Sequence, residues 1–324
     1  MRQALSRTHK CVVLDGASFP WSRPIPDILP FFGLIPFILK PFFNLIITSD
    51  NYVYCDMLYV QPHAGGHVRF PWLDTMTFRT LSAGTSFSLR LMAPLGRAMY
   101  RRAALLSNSQ YTRDLLIRSI GRGSSVLYPP VPTQLYRTPQ VQREDQIITL
   151  SSLNPRKNLL LIPSVATKLP GRRFGLIGYA VPEHLSLLTT LHRRFASEAP
   201  QASFRYYPSL ADTDKATILQ RTKVYFHPTV AEPFGIAVAE AMAAGCIPVV
   251  HDSGGVREFV PPDWRYSTPE EAATLIRKAL EIWSPELAEQ MREIAYQYRE
   301  EVFVERFLGY VEYEISGAAD ADRP

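Results

Sequence analysis

From Gln146 onward the chain alternates short apolar runs with runs of helical period. The segments "IITLSS", "RRFGLIG", "SFRYY", "KVYFHP" and "CIPVV" read as strands. Between them "NLLLIPSVATKL", "EHLSLLTTLHRRF", "TDKATILQRT" and "FGIAVAEAMAAG" read as helices. Strands and helices alternating at this length build a parallel sheet covered on both faces. In such sheets ligands bind beyond the carboxyl ends of the strands. The runs "EEAATLIRKALEIW" and "PELAEQMREIAYQYREEVFVERFLGYVEYEI" read as closing helices, and "SGAADADRP" as a loose tail.

The chain has 324 residues, 46% of them apolar, enough to fill two cores. In the first half "NLIITSD" and "MLYVQP" read as short buried strands. "AALLSNSQYTRDLLIRSIG" reads as a strand, a cap at Ser109 and a helix closed by Gly121. "SVLYPPVPTQLYRTPQ" runs from a strand into a proline-rich connection, so the boundary is expected within 129–145. The predicted division is an N-terminal Rossmann-like domain over 1–140, a C-terminal Rossmann domain over 141–316 whose last helices cross back to the first, and a tail over 317–324.

The formal charge of +5 is spread along the chain rather than gathered in a stripe, which argues against nucleic acid as a partner. An anionic lipid surface or a phosphorylated substrate stays compatible with it. Cys11, Cys55 and Cys246 are far apart and without metal spacing, which suits a reducing compartment, and a cytoplasmic location is expected. The basic start "MRQALSRTHK" is not followed by a signal-peptide pattern. The stretch over 27–48 is apolar enough to approach a bilayer, yet Pro30, Pro36, Pro41 and Lys40 interrupt it, and each proline removes a helical hydrogen bond that lipid does not replace. It reads either as core or as an interfacial surface carrying Phe31, Phe32 and Phe37.

Four loops fall at expected strand ends in the second domain: "SSLNPRKN", "GYAVPEH", "HPTVAEPFG" and "HDSGGVRE". In the third, a helix is expected to start near Gly235. The amides of Gly235 and Ile236 and the positive end of the helix dipole then favour a diphosphate. Glu240, one turn beyond Ile236, could accept two ribose hydroxyls, and Glu232, outside the helix, could reach the sugar. Alone, either glutamate reads rather as a dipole or capping residue, Arg156 and Lys157 equally as solvated loop charges, and Gly254 and Gly255 nearly as well as a plain turn. His227 and His251 at strand ends read as buried, hydrogen-bonded histidines.

Taken together, Glu232 to Glu240, "EAMAAG" and the later "SGG" resemble the E-x7-E signature of retaining glycosyltransferases of family four, which have the two-Rossmann GT-B fold. The stretch "HPTVAEPFGIAVAEAMAAGCIPVVHDSGG" is similar to the mannosyltransferases that extend lipid-linked oligosaccharides. The resemblance implies a hexose, mannose first, moved from a nucleoside-diphosphate sugar to a glycan or lipid-linked acceptor, without a metal and with no other cofactor. It gives Glu232 the donor-sugar hydroxyls, Phe234, Gly235 and Ile236 the sugar and diphosphate through their backbone, and Glu240 the ribose. Lys157 falls on the lysine that balances the leaving diphosphate. Ser152 stands where an arginine is usual, with Arg156 as its substitute. Gly254 and Gly255 would border the donor. In the first domain "YVQPHAGGH" matches an acceptor-facing segment, with Gln61 at the usual histidine and His63 two residues on. The family's glycine-rich loop is not present in residues 1–50, so a reduced N-terminal domain is expected.

A rival reading is a non-catalytic subunit of the same fold that holds a sugar nucleotide or glycan, supported by Ser152 and the missing glycine loop. Another is a different GT-B enzyme, such as a sugar-nucleotide epimerase or a phosphorylase.

Overall fold

The computed structural model describes residues 47–48, 57–60, 103–137 and 141–316. His63, the stretch over 27–46 and the tail from 317 lie outside the described residues. The chain divides into two compact units, one holding the described residues up to Tyr128 together with Phe303 onward, the other Pro129–Val302.

In the first unit the strands β1 (Ile47–Thr48), β2 (Met57–Val60), β3 (Ala104–Ser107) and β4 (Ser125–Val126) pair in parallel in that order. Every residue of β2 and β3 is buried, as expected of a parallel strand covered on both faces. Helix α1 (Gln110–Ile120) begins where the Ser109 hydroxyl accepts the Thr112 amide at 3.0 Å. It ends where Gly121 turns left-handed at φ 68° and donates its own amide to Ile117. The core packs Tyr59, Leu106 and Leu127 against Phe303, Phe307, Tyr310 and Val311 of the C-terminal helix.

The second unit contains β5 (Glu144–Leu150), α2 (Leu161–Ala166), β6 (Arg173–Gly178), α3 (Leu185–Glu198), β7 (Ser203–Pro208), α4 (Asp212–Gln220), β8 (Thr222–His227), α5 (Ile236–Ala243), β9 (Ile247–His251), β10 (Arg265–Tyr266), α6 (Pro269–Ile282) and α7 (Pro285–Tyr296). The C-terminal helix is α8 (Glu300–Ser316). The six strands are parallel in the order β10-β9-β8-β5-β6-β7. The chain therefore winds outward from β5 to one edge, returns, and winds from β8 to the other. Between β5 and β8 the strand order reverses, which opens the crevice where doubly wound sheets take their ligands.

Three elements differ from the sequence reading. Helix α2 has six residues, shorter than its apolar run, because Asn158 is left-handed at φ 52° after a tight turn over Pro155–Lys157. Strand β10 is two residues long and pairs only at the sheet edge, too short for a period-2 signal. The closing run read as one helix is two, α7 and α8, broken at 297–299. There the Tyr298 ring lies 5.2 Å from Phe234 and 5.5 Å from Phe259, and its carbonyl accepts the Val131 amide at 2.8 Å. A continuous helix would keep that carbonyl for its own ladder. No helix among the described residues is long and apolar enough to cross a membrane.

Candidate functional site

The loop after β5 and the loop after β8 flank the switch point, and side chains tie them together. Asn158 donates its amide to Pro228 O at 3.1 Å, and the Thr229 hydroxyl donates to Lys157 O at 3.4 Å. Asn154 caps the turn by accepting the Arg156 amide at 3.0 Å. This framework sets Lys157 Nζ 2.7 Å from Glu232 Oε2, joining residues 75 positions apart. The loop after β6 runs beside them: Leu153 donates its amide to Tyr179 O at 2.9 Å, and a Cβ on Gly178 would collide with Ser151 O.

Glu232 is nearly enclosed, and the same oxygen that takes Lys157 also faces His227 Nε2 at 3.1 Å. His227 Nδ1 lies 3.2 Å from the Tyr225 hydroxyl, which donates to Leu150 O at 3.1 Å. The His227 ring thus bridges the Tyr225 hydroxyl and Glu232 Oε2 through its two nitrogens. Burial by itself would raise the Glu232 carboxyl, but His227 and Lys157 together hold it down at about 2. Its other oxygen, Oε1, makes no hydrogen bond to the described residues.

The loop after β9 grips the segment that carries Glu232. Ser253 Oγ accepts the Ala231 amide at 2.8 Å and lies 2.7 Å from His251 Nδ1, a ring that burial pushes toward its neutral form. Gly255 donates its amide to Glu232 O at 2.7 Å, and Gly254 bridges Glu232 in parallel. A Cβ on Gly254 would collide with Glu232 O, and one on Gly255 with Pro233 O. The close backbone approach that these two glycines permit is thus to the Glu232 loop itself.

Gly235, at φ 98°, turns the chain into α5, whose first turn has no side-chain cap. The amides of Gly235 and Ile236 make no hydrogen bond to the described residues. Phe234 is buried between Phe259 and Tyr298 and fixes the loop from beneath. Ile236 is 40% exposed at the helix start.

Glu240 does not share partners with Glu232. Its Oε1 meets Lys215 Nζ of α4 at 3.0 Å, so each glutamate has a lysine of its own. Burial pushes the Glu240 carboxyl up, and Lys215 offsets part of that. Arg156 is exposed, with no ion pair among the described residues. No group of three or more His, Cys, Asp or Glu side chains among the described residues is placed to hold a metal ion.

The site thus brings together Lys157, Glu232, Phe234, Gly235, Ile236, Gly254 and Gly255, with Glu240 one helical turn away. Sequence reasoning missed His227 and Lys215 as members of it. His227 stands five residues before Glu232 on an apolar strand, which is the pattern of any buried histidine. Lys215 sits in a helix with no motif around it.

Two parallel sheets, one of them in doubly wound order with this loop cluster at its switch point, are the architecture of the GT-B fold. The family model for "Glycosyl transferases group 1" matches residues 135–298, about half of the chain, and the chain belongs to that family. It is 23% identical over 227 residues to a GDP-Man:Man(3)GlcNAc(2)-PP-Dol alpha-1,2-mannosyltransferase of Dictyostelium discoideum, covering 62% of this chain and 44% of that protein. The enzyme of the same description from Neurospora crassa is 26% identical over 212 residues, covering 58% and 38%. The chain therefore spans less than half the length of the curated relatives it matches. Among solved structures, sucrose-phosphate synthase from Thermosynechococcus elongatus superposes with a TM-score of 0.70 at 15% identity, covering 93% of this chain and 81% of that one. Anabaena HepE in complex with UDP gives 0.62 at 17% identity, covering 89% and 77%.

Proposed function

We propose that the chain is a retaining, metal-independent hexosyltransferase. It moves mannose from a nucleoside diphosphate, GDP-mannose first, to a glycan or lipid-linked acceptor at the cytoplasmic face of a membrane. The observation that carries the reading is the 2.7 Å pair of Lys157 and Glu232 across the switch point, beside the open amides of Gly235 and Ile236. The names of the curated relatives supply the choice of mannose and of a lipid-linked acceptor.

In this reading the diphosphate lies at the start of α5 and takes the Lys157 ammonium. Glu232 keeps His227 on Oε2 and turns Oε1 to a hydroxyl of the hexose. The bond from the anomeric carbon to the diphosphate oxygen breaks, and the bond to the acceptor oxygen forms on the same face. The acceptor proton passes to the departing diphosphate. Charge grows on the diphosphate as the bond breaks, so a fixed cation and preorganised amides stabilise the transition state more than the ground state.

The test incubates the purified chain with GDP-mannose or UDP-glucose and a lipid-linked or free glycan acceptor, and reads the product's anomeric configuration by NMR. A product of the donor's own configuration supports the reading, and an inverted product overturns it. Tight nucleotide-sugar binding with no transfer and no donor hydrolysis would point instead to a binding subunit, the reading that Ser152 in place of the usual arginine favours.

A further inference from the structure

The Lys215–Glu240 pair is an unusual thing to build into a helix packing. The Lys215 side chain is 14% exposed and that of Glu240 9%, while Asp212, which takes the same ammonium at 2.9 Å, is 71% exposed. The lysine thus bridges an inner carboxylate to an outer one along α4. Around Glu240 the facing polar and charged groups are Lys215 and Asp212 of α4, the Tyr136 hydroxyl from the turn over Thr133–Tyr136, and, more remotely, the Tyr225 hydroxyl of β8. Tyr136 is buried and its hydroxyl makes no hydrogen bond of ordinary length. Lys215 is therefore the only cation facing Glu240 among the described residues.

A buried ion pair gives little stability over well-packed apolar residues of the same size, because both charges are desolvated. Stability alone is thus a weak reason for this pair, and its position one turn above the diphosphate end of α5 suggests another. We propose that Lys215 is a positioning residue for the nucleotide: its ammonium occupies Oε1 of Glu240, so that Oε2 is presented to the ribose hydroxyls of a nucleoside diphosphate. The proposal rests on the assignment of Glu240 to the ribose made above.

The chemistry follows from charge. A ribose hydroxyl donates to a carboxylate, whereas a protonated carboxyl is itself a donor on one oxygen and a poorer acceptor on the other. Burial favours the protonated form of Glu240, and Lys215 opposes it. Without the ammonium, the protonated form spreads to higher pH, and ribose binding is lost on the acid side first.

The experiment is calorimetric titration of GDP and UDP into the full chain and its Lys215→Met, Lys215→Arg and Asp212→Asn variants between pH 6 and 8.5. The ratio of variant to wild-type affinity at each pH cancels the titration of the nucleotide's own phosphates. For Lys215→Met the expected deficit is about tenfold, the scale of one hydrogen bond to a charged group, and larger at pH 6 than at pH 8.5, with Lys215→Arg close to wild type throughout. Asp212→Asn removes a repelling charge and is expected to hold affinity at pH 6, so it keeps the test open should Lys215→Met fail to fold. A deficit for Lys215→Met that is the same at every pH, or absent, overturns the proposal, as does an acid-side loss in Asp212→Asn. If wild type binds 3′-deoxy and 2′-deoxy nucleotides as tightly as the parent nucleotide, the ribose assignment of Glu240 fails by itself, whatever the Lys215 variants do.

Discussion

One oxygen of Glu232 takes both Lys157 and His227, and this fixes what each change at the site should do. The carboxyl stands at about 2, below its ordinary 4.5. A depressed carboxyl adds stability that is complete above about pH 4.5 and is lost as the pH falls toward 2. That difference corresponds to on the order of 3 kcal/mol. Acid unfolding followed by circular dichroism should therefore be shallower over this window in Glu232→Gln than in wild type; equal slopes would remove the pair from the folded-state electrostatics. Lys157→Ala is expected to lower kcat more than it weakens donor binding, since its charge matters most as the diphosphate departs. Steady-state kinetics that show only a raised KM would leave Lys157 as a ground-state anchor. Glu240→Ala should weaken nucleoside diphosphate binding by roughly 1.5–3 kcal/mol, the scale of hydrogen bonds to a charged group, and calorimetry reads it directly.

At the level of elements, the site is a set of loops held against one another by backbone contact, and two glycines set how close they come. Gly254 has φ 79°, and a Cβ there or at Gly255 would meet carbonyl oxygens of the Glu232 loop. Backbone does not yield as a side-chain tip does. Gly255→Ala should thus cost about 1–3 kcal/mol in urea unfolding, the range for forced overpacking, and should displace Glu232. These glycines were legible in the sequence as a turn, but their neighbour was not, because Gly255 and Pro233 are far apart along the chain. The same holds for Tyr298: the run around it has helical period throughout, and only the Phe234 and Phe259 rings show why the helix stops there.

For the whole molecule, the last helix returns from the second unit's chain segment to complete the core of the first. Phe307 is fully buried beside Phe303 and among Tyr59, Leu106 and Leu127. Phe307→Ala should cost about 3–5 kcal/mol and lower the midpoint of the transition that reports on the first unit. A change confined to the second unit's transition would contradict this packing. The stretch over 27–48 belongs to this scale as well, although all but its last residues lie outside the described ones. Its phenylalanines beside Lys40 motivate a peripheral, partly electrostatic attachment. The protein should float with anionic liposomes at low salt and lose much of that binding at high salt; protein that stays in the soluble fraction at low salt would assign the stretch to core or to another chain.

Strand and helix periods, together with Ser109, Gly121, Gly235 and the spacing of Glu232 and Glu240, were determined by the sequence itself, because each depends on residues within a turn or two of one another. The parallel sheet followed from the alternation. Strand order did not, since it depends on which strands pair across the fold. Nor did the partners of the two glutamates. Lys157 reaches Glu232 from the other side of the switch point, His227 reaches it by a bend in the loop, and Lys215 reaches Glu240 from a neighbouring helix. Charge on a buried carboxylate is set by what lies within a few ångströms of it in space, and that is fixed only when the sheet brings distant loops to one edge.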